Sequence, residues 1–305
     1  MVALLRVAAC VLLLPFALST PTPTPAESES DLVLTPSGYQ NRANVHHVPS
    51  GAHIMHVADK IHVLHPNGTL FKVVTPKIKA PTPVVARSAA SAAATMASGW
   101  ITYASWVSSA PDTQPIKNFT TSFTSPQEPA SNIGQTLFLF NGLCPADGTS
   151  IIQPVLQYGY SSRGGGSYWS SGAWYAFSNT EFFASPLEPT PDNWALNATI
   201  GLTNFTAGTG YTYAINMQGA PGAKLTVTSP QNLVWATIAL ESYGVTSIKN
   251  YPAGSTSFNQ VSLLLSNGTV PAPTQSWAVF NNNTDGITTT VVANKFNGGV
   301  VKINY

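Results

Sequence analysis

Side chains able to move protons or polarise a carbonyl are scarce in this chain, so the few placed inside apolar runs stand out. Gln157 lies in Ile152-Gln-Pro-Val-Leu-Gln-Tyr-Gly-Tyr160, a run of strand length. Alternation puts Val155, Gln157 and Gly159 on one face and Leu156 and Tyr158 on the other. An amide there either hydrogen-bonds a neighbouring strand or faces a cleft and handles a substrate carbonyl. Eight carboxylates lie downstream of residue 98, and only Glu241 falls inside an apolar strand, Leu233-Val-Trp-Ala-Thr-Ile-Ala-Leu-Glu241. Leu233, Trp235, Thr237, Ala239 and Glu241 share a face of that strand. Desolvation there raises a carboxyl pKa and suits it to acid/base work. Alternatively the strand ends and Glu241 reaches solvent before Tyr243-Gly244.

Other chemistry is less well served. All six histidines (His46, His47, His53, His56, His62 and His65) cluster in one upstream segment. His53-X-X-His56 and His62-X-X-His65 have metal-site spacing, but only Asp59 is near as a further ligand, so no metal and no cofactor is assigned. Six imidazoles with ordinary pKa near 6.5 would charge the segment on acidification. Cys144 is alone once Cys10 leaves with the leader, which excludes an internal disulfide, and the distant histidines exclude thiol catalysis.

Charged residues are 8 % of the 305, with net charge +1, and no basic stripe exists for nucleic acid. Residues 1–19 read as a signal peptide: a short basic start, an apolar run Val7–Leu14 and a small-residue context at Phe16-Ala-Leu-Ser19. A secreted, extracellular, monomeric protein is expected, off the membrane after signal removal. Sequons at Asn67, Asn118, Asn197, Asn204, Asn267 and Asn282 predict glycosylated surface loops.

The elements that must hold these residues are strands. A Thr-Pro lead-in at 20–31 cannot form a core. A small unit from about Tyr39 to Val74 contains a hairpin, Ile61–His65 and Leu70–Val74 about a Pro-Asn-Gly-Thr turn. A Pro-rich stretch followed by an Ala/Ser run then marks a boundary near residue 97, so residues 20–97 read as a pro-segment and linker. From residue 98 to 305, a dozen short strands predict an all-β, two-sheet antiparallel sandwich. Within it, Ser161-Ser-Arg-Gly-Gly-Gly166 reads as a hairpin loop ahead of an aromatic strand, Ser167–Phe177.

Three short motifs carry a resemblance: Val155-Leu-Gln-Tyr-Gly159, Ala173-Trp-Tyr175 and Thr237-Ile-Ala-Leu-Glu-Ser-Tyr243. In order and interval this resembles the eqolisins, the glutamic peptidases related to scytalidoglutamic peptidase, across roughly Gly99–Tyr305. Trp100 matches the family's early Trp. Val45-His-His-Val-Pro49, the Gln153–Gly159 strand and Leu240-Glu-X-Tyr-Gly244 also resemble a group of secreted basidiomycete proteins. The eqolisin resemblance implies a concanavalin-like sandwich with a concave groove, and peptide hydrolysis at acidic pH by a Gln/Glu pair. Carried over, that pair is Gln157 and Glu241, with Trp174, Tyr175, Tyr158 and Asn141 as substrate-binding residues. Glu would deprotonate the water and return the proton to the leaving amine. The Gln amide N–H would stabilise the oxyanion, and its C=O would orient the water. Gly172 and Ala176 stand where the family has acidic residues, Asn141 stands for an Asp, and Leu137 or Phe138 for a Trp.

The leading expectation is thus a secreted acid endopeptidase acting on polypeptide, with residues 20–97 covering its groove. The alternative is a lectin-like module stacking glycan or cell-wall polymer on Trp169, Trp174, Tyr158 and Tyr160. A glycan hydrolase would need two carboxyl groups across a cleft, and no Glu-X-Asp-X-X-Glu strand is present.

Overall fold

The leucines and phenylalanines of one strand show how the molecule is layered. In Thr136-Leu-Phe-Leu-Phe-Asn-Gly-Leu-Cys144 every residue is buried. Leu137, Leu139 and Leu143 join the core between two sheets, whereas Phe138, Phe140 and Cys144 join a second apolar cluster on the opposite face. A strand buried on both faces carries no alternation of apolar and polar residues, which is why this one reads as a continuous apolar run.

The computed structural model describes residues 31–77, 96–109, 114–178, 180–207, 209–282 and 284–305. The expected leader, the Thr-Pro lead-in before Asp31 and the stretch 78–95 lie outside the described residues. The upstream strands are β1 (Leu32–Thr35), β2 (Gly38–Asn41), β3 (Val45–His47), β4 (His53–Val57), β5 (Lys60–Leu64) and β6 (Leu70–Val74). Next come β7 (Gly99–Val107), β8 (Ile116–Thr124), β9 (Thr136–Cys144), β10 (Ser150–Ser161), β11 (Gly164–Phe177), β12 (Glu181–Ala184) and β13 (Glu188–Pro189). The chain continues through β14 (Ala195–Thr206), β15 (Gly210–Gln218), β16 (Leu225–Ser229) and β17 (Trp235–Tyr243). It ends with β18 (Ser255–Leu265), β19 (Ala278–Asn281), β20 (Thr288–Ala293) and β21 (Gly299–Asn304).

Two large sheets result. One has the order β19-β7-β17-β9-β10-β11-β12-β3, with β13 added on β11. The other runs β20-β21-β18-β8-β14-β15-β16-β4-β5-β6. Their facing sides share one apolar core, so the chain is an all-β sandwich. Strand β8 escapes a sequence reading because only Ile116, Phe119 and Phe123 are apolar in Ile-Lys-Asn-Phe-Thr-Thr-Ser-Phe-Thr. Phe119 and Phe123 nonetheless alternate into the core.

The upstream strands are built into this body. β3 pairs parallel with β12 at one sheet's edge, and β4 pairs parallel with β16 at an edge of the other. These are the parallel joins in an otherwise antiparallel sandwich of described strands. β5 and β6 form the expected hairpin and extend the second sheet. Val48, Ala52, Ile54, Ile61, Val63 and Val74 belong to the same core as the sandwich strands. Each large aliphatic among them contributes on the order of 1.5–3 kcal/mol by burial, so this segment is held by packing as well as by edge pairing. Leu32–Tyr305 accordingly form one compact unit.

Of the six sequon asparagines expected in surface loops, Asn118 lies within β8 and Asn197 and Asn204 within β14; Asn67, Asn204 and Asn267 are exposed, and Asn118, Asn197 and Asn282 are half-buried.

Candidate active site

Register brings the amide and the acid together. Gln157 of β10 lies opposite Phe138 of β9, and Phe138 lies opposite Glu241 of β17. Cross-strand partners project to the same face, so Gln157 and Glu241 share a face with one aromatic ring between them. Two strand spacings separate their Cα atoms, about 10 Å, a span that two long side chains and one water can bridge. The rung continues to Trp100 on β7 beyond Glu241, and to Ser170 on β11 and Pro189 on β13 beyond Gln157. This is the face turned away from the inter-sheet core.

Bulges and glycines aim both groups. Register shifts fall between Tyr158 and Gly159 and between Leu240 and Glu241, each at or beside a site residue. The β10–β11 turn is only Ser162-Arg163, shorter than the expected loop, because Gly164, Gly165 and Gly166 belong to β11. At Gly165 (φ +109°) a Cβ would stand 2.5 Å from Gln157 Nε2 and 2.2 Å from the Gly159 carbonyl oxygen. At Gly159 (φ +90°) it would stand 2.1 Å from the Gln135 carbonyl oxygen. Only glycine fits these two places.

The space they leave lets Gln157 Nε2 donate to the carbonyls of Gly159 (2.8 Å) and Gly164 (2.9 Å). These bonds settle the amide orientation, since the flipped form would put an oxygen against two oxygens. They also occupy both amide hydrogens, so in this form the N–H expected at an oxyanion is engaged elsewhere. Gln157 Oε1 is buried with no partner.

Glu241 is fully buried. Its Oε1 accepts from the Tyr243 hydroxyl and from the backbone N–H of Ser37 at 2.9 Å, while Oε2 is buried with no partner. Burial pushes its pKa up to about 7, with the two donors opposing the rise. Burial and the neighbouring Glu241 carboxyl together push the Tyr243 phenol well above its ordinary range, so it acts as a donor. Sequence reasoning did not name Tyr243 for the site, although its two-residue spacing from Glu241 on one strand is the signal that it shares the face.

Ser37 had no such signal. It sits in the turn of the β1–β2 hairpin at φ 124°, and its bond to Glu241 spans 204 residues of sequence. The same hairpin accepts at the Leu34 carbonyl from Ser162 N–H (2.7 Å), and Tyr39 packs edge-on against Tyr243. Leu34 belongs to the apolar cluster of this face. The hairpin therefore lies over the pair and contacts elements on both sides of it.

The remaining expected site residues divide by parity. Trp174 lies opposite Gln153 on the same face as Gln157, and the Trp174 Nε1 and Gln153 Oε1 atoms are both buried without partners. Tyr158 and Tyr175 point the other way, into the inter-sheet core, where Tyr158 packs on Trp169 and Tyr175 on Phe183. Asn141 also turns toward the second sheet, accepting at Oδ1 from Thr121 of β8 at 3.3 Å. These three do not share the face of the pair, because each sits at the opposite parity on its strand. Of the four aromatics considered for sugar stacking, Trp169 and Tyr158 are core, Trp174 is buried, and Tyr160 is exposed. They form no common platform.

Three of the six histidines make polar contacts with the sandwich strands, and burial lowers the pKa of His47, His53 and His56, so the six do not charge together near 6.5 as expected. His46 Nε2 meets Glu181 Oε2 at 2.6 Å in a buried pair, and Lys72 Nζ stands 3.0 Å from His46 Nδ1. His56 Nε2 meets the Tyr175 hydroxyl at 2.7 Å, and burial lowers its pKa to about 4. His53 contacts Thr228 Oγ1 at 2.7 Å. Among the described residues no group of three or more His, Cys, Asp or Glu is placed to hold a metal ion. Cys144 is buried, and burial raises its thiol pKa far above the ordinary value.

No family model matches the chain, and no curated protein matches it. Solved structures do. Scytalido-glutamic peptidase with a peptide-based transition-state analogue aligns at 14 % identity and TM-score 0.45, covering 68 % of this chain and 98 % of that one. SCP-B, a member of the eqolisin family of peptidases in a complex with the tripeptide Ala-Ile-His, gives the same identity, TM-score and coverage. Scytalido-glutamic peptidase with a transition-state analogue inhibitor aligns at 15 % and 0.44, with the same coverage. Likeness at this level concerns the fold, at a distance, and leaves the chemistry to the geometry above.

Proposed function

We propose that this chain is a secreted hydrolase of polypeptides, made in a covered form, in which Gln157 and Glu241 activate one water. One observation carries the reading: Gln157 Oε1 and Glu241 Oε2 lie on one rung of one face, both buried and both without a partner. Buried polar atoms are nearly always paired, so two unpaired oxygens on one rung of one face support a place kept for water or substrate. Gln153 Oε1, Trp174 Nε1 and Trp235 Nε1 add further unpaired buried atoms to the same face, a supply of contacts for a peptide main chain.

The chemistry follows from the two states of the pair. Ionised Glu241 takes a proton from the water, which Gln157 Oε1 orients by accepting its second hydrogen. The water oxygen then attacks the peptide carbonyl, and Glu241 returns the proton to the leaving nitrogen. In the covered form, a carboxyl with pKa about 7 is protonated at acidic pH and cannot act as base. Departure of the β1–β2 hairpin admits water to Glu241 and lowers that pKa by relieving the burial that raised it. It also removes the Leu34 anchor from the β10–β11 turn. Gly164, just after that turn, is one of the two acceptors of the Gln157 amide, and release of this one bond frees an N–H for the oxyanion while the Arg163 Nε–Ser185 bond keeps the arginine in place. The hairpin meets the site with main-chain groups, Ser37 N–H and Leu34 C=O, as an extended substrate would.

The test is cleavage of a denatured protein by the full-length chain between pH 3 and 7, beside Gln157→Ala and Glu241→Gln. Both variants should lose cleavage. Undiminished cleavage by Glu241→Gln ends the assignment of the chemistry to Gln157 and Glu241, and inactivity of all three proteins ends the hydrolase reading in favour of non-catalytic binding.

A further inference from the structure

The rung that holds the pair does not stop at Gln157. Its next member, Ser170, pairs directly with Gln157, and beyond it lies Pro189. Ser170 and Pro189 line a cavity of about 260 Å³ together with Arg163, Gly165, Tyr168 and Leu187. The cavity thus begins one strand spacing, about 5 Å, from the glutamine, within one or two residues of a peptide bond held over the pair. Its Tyr168 wall is exposed and Arg163 is half-buried, so the cavity is open in the covered form.

Arg163 occupies this wall in an unusual state. Its Nε donates to the Ser185 carbonyl at 2.8 Å, which fixes the guanidinium plane, and its backbone N–H donates to Ser161 Oγ. Among the described residues no carboxylate pairs with it. Its electrostatic surroundings are basic: His47 is depressed chiefly by burial and then by Arg163, with Arg42 and His46 adding to the same effect. A half-buried, oriented cation without an acid invites one from outside, because a guanidinium fork matches a carboxylate.

We infer that Arg163 is a specificity-determining residue that binds a carboxylate of the substrate, an acidic side chain or a chain-terminal carboxyl, beside the scissile bond on the Gln157 side. This rests on the hydrolase reading. It narrows the substrate class to polypeptides with an acidic group flanking the cleaved bond.

The test uses matched peptides that differ by Glu against Gln at positions within two residues of the cleaved bond, with a third ending in a free carboxyl at the same place. At pH 5.5 the glutamyl peptide should be cleaved with kcat/KM about tenfold above the glutaminyl one, the scale of one partly solvated charge-assisted contact. The preference should vanish near pH 3, where a glutamate with pKa about 4.3 is protonated. It should vanish in Arg163→Gln and survive in part in Arg163→Lys, whereas a merely structural Arg163 would lower both rates alike at every pH. A free-carboxyl peptide that outcompetes the glutamyl one assigns the site to chain ends. A second measurement stands apart from catalysis: the Arg163 Nε–H resonance of full-length Glu241→Gln, titrated with the glutamyl and glutaminyl peptides. Only the glutamyl peptide should shift it. Cleavage without a glutamyl preference, or with one that persists in Arg163→Gln, overturns the subsite and leaves the hydrolase standing. Absent cleavage defeats the hydrolase instead, and the resonance then decides the subsite, with equal responses to both peptides overturning it.

Discussion

Glu241 and His56 should impose opposite pH dependences on the stability of the covered form, and substituting either should expose the other. Glu241 titrates at about 7 when buried and at 4.5 when free. At low pH both states are protonated and its burial costs nothing from ionisation. As pH rises from 4.5 through 7 the unfolded chain releases the proton first, so folded stability is lost, by about 3 kcal/mol in full. His56 titrates at about 4 when docked on Tyr175 and at 6.5 when free. Here both states are neutral at high pH, and stability is lost as pH falls from 6.5 to 4, again by about 3 kcal/mol. The two losses cross near pH 5.5 and leave their sum nearly level from pH 4 to 7. The assay is urea unfolding of wild type, Glu241→Gln and His56→Gln at half-unit steps, read as variant-minus-wild-type differences so that other groups cancel. Relative to wild type, Glu241→Gln should gain about 3 kcal/mol on going from pH 4 to pH 7. His56→Gln should gain the same amount in the opposite direction. Difference curves flat to within 0.5 kcal/mol, a threshold set by the usual scatter of surface substitutions, would refute the reasoning for that residue.

Other consequences follow from single contacts. Gly165→Ala forces a Cβ against Gln157 Nε2 and the Gly159 carbonyl at a positive φ. It should destabilise by about 1–3 kcal/mol and abolish cleavage, both checked by urea unfolding and peptide assay. Tyr243→Phe removes a donor that lowers the Glu241 pKa, so carboxyl titration followed by infrared difference spectra should move upward. Glu181→Gln weakens the buried 2.6 Å hydrogen bond to His46 and should cost about 1.5–3 kcal/mol, with faster amide exchange concentrated in β3 and β12. Cys144 should resist alkylation in the native chain and react only at the rate of unfolding, because the thiol is buried and protonated.

Strands with regular alternation were legible from residues alone. β7 begins and ends where the pattern says, and β17 carries Glu241 on the face that alternation assigns. The hairpin of β10 and β11 was legible as an element, while its turn was not. Three glycines suggest a loop, yet at Gly165 the glycine serves close approach to a side chain within the strand. Parity already separates Trp174 from Tyr175 and Gln157 from Tyr158, since neighbours on a strand face opposite ways. Asn141 is harder. It lies in a strand buried on both faces, where no polar alternation tells which side is which. The hairpin over Glu241 could not be read at all, because Ser37 reaches it through a backbone N–H and backbone groups leave no residue-type signature.

The central claim is that one amide and one acid act on the same water. It is tested most directly by comparing peptide cleavage in Gln157→Ala, Glu241→Gln and the double variant under one set of conditions. Residues that work as a unit are non-additive, so the double variant should be no slower than the worse single variant. A double variant slower by the product of the two single effects would show two independent contributions and contradict the account.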